Sequence, residues 1–121
     1  MSVNSAMIIE WGMPIEGREM KALEEFIVSM AYWGGLKASG KIADFRTYGT
    51  MTGDFARRSG MVILEGTEAQ LSELRASEEF RTRLNHVITI GHNVAMTLLE
   101  MGDAMASRMQ RYGSVVKGML G

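Results

Sequence analysis

Two short apolar runs, Met7-Ile8-Ile9-Glu10-Trp11-Gly12 and Met61-Val62-Ile63-Leu64-Glu65-Gly66, both run into a glutamate and a glycine, and each precedes a polar turn and an amphipathic helix pattern. A chain that repeats this order outlines a duplicated strand-helix-strand unit. The expected product is a small antiparallel sheet covered by two helices on one face. Its other face must also be hidden from water, most simply by a second copy of the chain.

At 121 residues the chain has the length of one ordinary domain. We therefore expect a single domain, with a core at about 6–102 and a C-terminal helical extension at about 103–118. Hydrophobic residues are 46% and charged residues 22% of the whole, a globular composition. Thirteen Lys+Arg against 14 Asp+Glu leave a net charge of -1, so no broad positive field draws in nucleic acid or an anionic membrane. Absence of cysteine removes disulfides and thiolate chemistry, and fits a cytoplasmic protein. No basic leader precedes a long apolar stretch, and no window approaches the roughly 18 apolar residues of a membrane span, so a soluble chain is expected. The 12 methionines serve as flexible core filler and also suit an irregular apolar pocket.

Ala6 to Trp11 reads as the first strand, and Gly12 to Gly17 as the turn into a helix starting near Arg18. Leu23, Phe26, Ile27 and Met30 recur at helical spacing, with Glu19, Lys21, Glu24 and Glu25 on the opposite face. That helix is expected to fray at Gly34-Gly35, where two glycines carry the largest entropy cost. Ile42 to Thr50 alternates, placing Ala43, Phe45 and Thr47 on one face and Ile42, Asp44, Arg46 and Tyr48 on the other. A turn around Thr52-Gly53-Asp54, with a solvated Arg57-Arg58 pair, leads into a third strand, Gly60 to Glu65, making a hairpin.

Thr67-Glu68-Ala69-Gln70 matches a capping box. Leu71 and Leu74 mark the buried side of the helix it starts, and Ser77 before Glu78-Glu79-Phe80 marks a second cap where the helix restarts. Val87 to Ile90 is β-branched and ambiguous, and Asn93 to Glu100 reads as the fourth strand. Asp103 is expected to cap a last helix with Met105, Met109, Tyr112 and Val116 on one stripe. Such a helix needs a surface, either on its own domain or, the reading we favour, on a partner subunit.

This order, β-α-β-β-α-β with an antiparallel sheet, resembles the ferredoxin-like α+β fold and, within it, the dimeric α+β barrel superfamily. Trp11-Gly12, Gly17-Arg18, Tyr32, Ala38-Ser39-Gly40-Lys41-Ile42 and Leu74-Arg75-Ala76-Ser77-Glu78-Glu79-Phe80 resemble an uncharacterised bacterial branch of it. The resemblance implies a homodimer of facing sheets and a cleft between each sheet and its helices. Members include cofactor-independent monooxygenases, haem-degrading monooxygenases and isomerases. The haem-degrading type has an Asn on its first strand and a Trp on its third, and neither is present here. No cofactor is therefore expected.

The two histidines, His86 and His92, lack the spacing of a paired metal site, and no metal is expected. His86, on the second helix, is the candidate catalytic base. Trp11, Tyr32, Arg46 and Tyr48 are the candidate ligand-binding residues. Arg46 and Tyr48 share a strand face and either hold an oxyanion of a bound aromatic or pair across a dimer interface. Trp33 is read as closing the core. No serine elbow, Walker loop or dinucleotide fingerprint occurs. The function expected is binding of a small apolar or aromatic molecule in the cleft. The alternatives are a cofactor-independent monooxygenase or isomerase, and a structural dimer without a ligand.

Overall fold

The β-branched and large apolar residues of Ser5–Trp11 form β1, which lies at the centre of the sheet and pairs antiparallel with β3 on one side and β4 on the other. The computed structural model describes residues 2–121. Its elements run β1, α1 (Glu19–Ala38), β2 (Asp44–Gly49), β3 (Gly60–Gly66), α2 (Glu68–Ala76), α3 (Glu78–Ile90), β4 (Ala95–Glu100) and α4 (Gly102–Leu120). The strand order is β2-β3-β1-β4, and every neighbouring pair is antiparallel.

Alternation decides what each face of the sheet carries. Met7 lies opposite Leu64 and Ile9 opposite Val62, and all four are buried. They pack beneath Trp33 and Leu36 of α1, Leu71 and Leu74 of α2, and Phe80 of α3. The intervening residues, Ile8, Ile63, Arg46 and Tyr48 among them, stand on the other face, which no helix covers.

Two glycines are required by close approach. A Cβ on Gly60 would come within 2.9 Å of the Trp11 ring, which lies across the paired strand. At Gly12 a Cβ would sit 2.1 Å from the Ala56 carbonyl oxygen, while the Gly12 amide donates to the His92 carbonyl at 2.7 Å. Trp11-Gly12 is thus the place where β1, the β2–β3 loop and the approach to β4 meet, and a side chain at Gly12 has no room.

The second helical segment breaks where its sequence supplies a second cap. Thr67 Oγ1 accepts from the Gln70 amide at 3.1 Å and Gln70 Oε1 accepts from the Thr67 amide at 2.8 Å, closing the capping box. Ser77 Oγ then accepts from the Phe80 amide at 3.3 Å and starts α3. Val87 to Ile90 completes that helix, with Val87 and Ile90 partly buried and Ile88 and Thr89 facing solvent.

Four expectations need correction. α1 does not fray at Gly34-Gly35 but runs on to Ala38, since burial of Trp33 and Leu36 on either side outweighs the entropy cost of two glycines. Ile42 precedes β2 and turns into the core, where it is 2% exposed, instead of sharing a face with Arg46. Asp103 does not cap α4: Met101 is the N-cap residue and makes no side-chain cap, while Asp103 Oδ2 accepts from Ser2 Oγ at 2.9 Å. Leu23, Phe26 and Ile27 are exposed despite their helical spacing. Core packing on α1 is confined to the Ser29–Leu36 half.

None of the residues of α4 is buried. Met105, Met109, Tyr112, Val115 and Met119 present an apolar stripe to solvent.

Candidate functional site

Because the N-terminal half of α1 stands above the sheet without packing down on it, a space is left between them. It is a cavity of about 440 Å³. Ile9, Trp11, Val62 and Thr47 form the sheet side, Leu23, Phe26, Met30 and Trp33 of α1 form one wall, and Phe80, Leu84 and Val87 of α3 form the other. Its size falls within the range of small-molecule sites. The Trp11 and Phe26 rings meet edge to face with centroids 6.5 Å apart at 64°.

One corner of the cavity is polar. Glu25 and Ser29 on α1 and Arg83 on α3 line it. Arg83 Nη1 donates to Glu25 Oε1 at 3.0 Å, and Ser29 Oγ donates to the same oxygen at 3.4 Å. The helical spacing of Glu25 and Ser29 puts both on one face of α1, one turn apart. Arg83 Nη2 lies 3.2 Å from His86 Nδ1. A guanidinium only donates, so Nδ1 is the acceptor of that bond, and its 3.5 Å approach to Glu25 Oε2 is not a second hydrogen bond.

Of the residues singled out from the sequence, Trp11 lines the cavity. His86 is on α3 and touches the polar corner from outside; its side chain is 51% exposed and it is not part of the cavity wall. Tyr32 turns the other way, its ring tilted at 50° against Trp33 with centroids 4.9 Å apart, and lines a shallow groove with Glu79 and Thr82 between α1 and α3. Burial raises its phenol above the ordinary value, and the nearby Glu79 carboxylate adds to the shift. Arg46 and Tyr48 do share a face, but it is the uncovered face of the sheet, away from the cavity. Arg46 Nη2 donates to both oxygens of Glu65 at 2.9 Å, and this carboxylate pushes the guanidinium further up. On the same face Arg58, expected as a solvated tip charge, pairs with Glu10 at 2.6 Å.

His92 lies 3.3 Å from Glu16, whose carboxyl is held below its ordinary range by a backbone hydrogen bond and then by His92. Among the described residues no cluster of three or more His, Asp or Glu could hold a metal ion. Nor is any helix among them long and apolar enough to cross a membrane.

Sequence reasoning missed Glu25, Ser29 and Arg83. Glu25 was placed with Glu24 on the solvated side of α1, yet its side chain is 13% exposed. The available signal was Phe26 and Met30 beside it: a helix whose apolar stripe flanks an acid and a serine one turn apart can carry both at the edge of a buried face.

Comparison with solved structures finds the same architecture in proteins of distant sequence. A dimeric ferredoxin-like protein of unknown function from Jannaschia sp. CCS1 superposes with a TM-score of 0.63 at 13% identity, over 82% of this chain and 98% of that one. Another so described, from Thermobifida fusca YX, gives 0.64 at 8% identity over 84% and 93%. A dimeric protein of unknown function and ferredoxin-like fold from Bacteroides fragilis NCTC 9343 gives 0.57 at 10% identity over 81% and 96%. No protein-family model and no curated protein matches the chain. At these identities the likeness concerns architecture, and together with the strand order it establishes that the chain has a ferredoxin-like α+β fold.

Proposed function

We propose that the protein is a homodimer that binds a small, mostly apolar or aromatic molecule in the cavity between its sheet and helices. The observation that carries the binding reading is the wall chemistry. Aromatic and aliphatic side chains form most of the wall of a space of about 440 Å³, with a hydrogen-bonded polar corner at Glu25, Ser29 and Arg83, the pattern of a site that gains affinity from burial and orientation from a few polar groups. A core without a ligand would close such a space, since interiors pack densely and each void forfeits contacts.

The dimer reading rests on the uncovered sheet face. Ile8 and Ile63 are direct partners there, with Tyr48 and Leu99 exposed on the flanking strands, and two ion pairs frame them. An apolar centre with a charged rim suits pairing with a second copy. The three solved proteins of this fold are themselves described as dimeric. α4, with its bare apolar stripe, would seat on the partner. In this reading Arg46 and Tyr48 serve the interface and Trp11 the ligand.

The alternative, cofactor-independent oxidation or isomerisation with His86 as base, requires a ring inside the cavity, and His86 stands outside its wall. Sedimentation at micromolar concentration tests the dimer. Thermal unfolding across a panel of aromatic and aliphatic compounds tests binding: a dose-dependent rise in Tm supports the reading, and no rise with any compound refutes it.

A further inference from the structure

The charges around the cavity restrict what it can accept. Among the described residues lining it, Arg83 carries the one positive charge, against Glu19 and Glu25. Arg83 is already committed: its bond to Glu25 is 3.0 Å long and both side chains are largely buried. Glu19, exposed at the start of α1, accepts from the Gly17 amide through Oε1 at 3.1 Å and makes no ion pair among the described residues, so the charged groups of the wall do not add up to a positive site. An anionic headgroup would have to draw Arg83 away from Glu25, stranding a largely buried carboxylate, or else lie beside that carboxylate at the polar corner. A neutral oxygen faces no such conflict. A guanidinium has five N–H donors, so Arg83 keeps donors to spare for a hydroxyl or carbonyl, and Ser29 Oγ, bonded to Glu25 at a long 3.4 Å, can accept from a hydroxyl.

Building on the binding reading above, we infer that the ligand is an uncharged apolar molecule with one hydrogen-bonding group, such as a long-chain alcohol, phenol or ketone, and that the Glu25–Arg83 pair excludes the carboxylic acid of the same skeleton. The pair is a specificity device: it presents donors and acceptors without presenting net charge.

The test compares decanol with decanoate at about pH 8, where the acid is ionised. Trp11 and Trp33 are the two tryptophans of the chain and both line the cavity, so their emission reports occupancy. The inference expects decanol to bind more tightly by on the order of a hundredfold. In Glu25→Gln, which releases Arg83, decanoate gains at least about tenfold relative to decanol. Equal or tighter binding of decanoate to the wild type overturns the inference and leaves cavity binding standing. No change of emission with either compound removes the binding reading and the inference with it. A folded Glu25→Gln chain in which decanoate gains nothing relative to decanol overturns the role of the pair, and where that variant does not fold Glu25→Ala with the same readout replaces it.

Discussion

Glu25 on α1 and Arg83 on α3 meet at 3.0 Å with side chains 13% and 19% exposed, so an ion pair joins these two helices at the polar corner of the cavity. Breaking one side of such a pair leaves an uncompensated charge in a partly dry place. Arg83→Met is expected to lower stability by about 2–3 kcal/mol, somewhat less than for a fully buried pair. The double variant Glu25→Gln/Arg83→Met recovers much of that loss. Urea unfolding of the wild type, Glu25→Gln, Arg83→Met and the double variant, read as a double-mutant cycle, checks it.

Gly60 lies opposite Trp11 and leaves no space for a Cβ beneath the indole. Gly60→Ala therefore displaces the ring, with an expected cost of about 1–3 kcal/mol from overpacking. A shift of tryptophan emission accompanies the loss. Unchanged emission and stability would mean that the indole does not rest on this glycine.

Removing α4 by ending the chain after Met101 is expected to leave the secondary structure of the remaining fold intact, since no residue of α4 is buried in its own domain. Far-UV circular dichroism follows the fold and sedimentation equilibrium follows association. The dimer weakens in proportion to the apolar stripe lost, and full-length affinity in the truncated chain would show that α4 does not seat on the partner.

Stability at alkaline pH has a sign set by Tyr32. Its phenol is raised in the folded state, chiefly by burial, so the unfolded chain loses that proton first. The stability tied to it is fully present below the ordinary phenol value of about 10 and is lost as pH climbs through the folded value. Absorbance titration should show a late-ionising phenol step that disappears in Tyr32→Phe. Asp44 acts at the other end. A hydrogen bond from Lys37 and then the Phe45 amide hold it below the ordinary carboxylate range, so its contribution is present above that range and lost as pH falls through the folded value.

Local chemistry explains which parts were readable from sequence. The Thr67–Gln70 box and the Ser77 restart are decided by groups three residues apart, and both form as expected. Alternation correctly separated Phe45 and Thr47 from Arg46 and Tyr48, because a period of two holds wherever the strand does. It could not say which side would hold a cavity. That depended on where α1 lifts off the sheet, a tertiary outcome shared among Phe26, Met30 and Leu84 on two elements distant in the chain. Gly34-Gly35 and Glu25 failed for the same reason: local propensity and charge predict solvent, and packing against α3 and the sheet decides otherwise.

Filling the cavity separates a ligand site from an empty gap between helices and sheet. Leu84→Trp places a larger ring in the α3 wall, and thermal unfolding is followed for this variant and the wild type with decanol. Wild-type Tm is expected to rise with ligand concentration, approaching about 2.7 kcal/mol of added stability at a hundredfold excess over Kd, while the filled variant stays folded and does not respond. Equal responses from both proteins, or none from either, would contradict binding in the cavity.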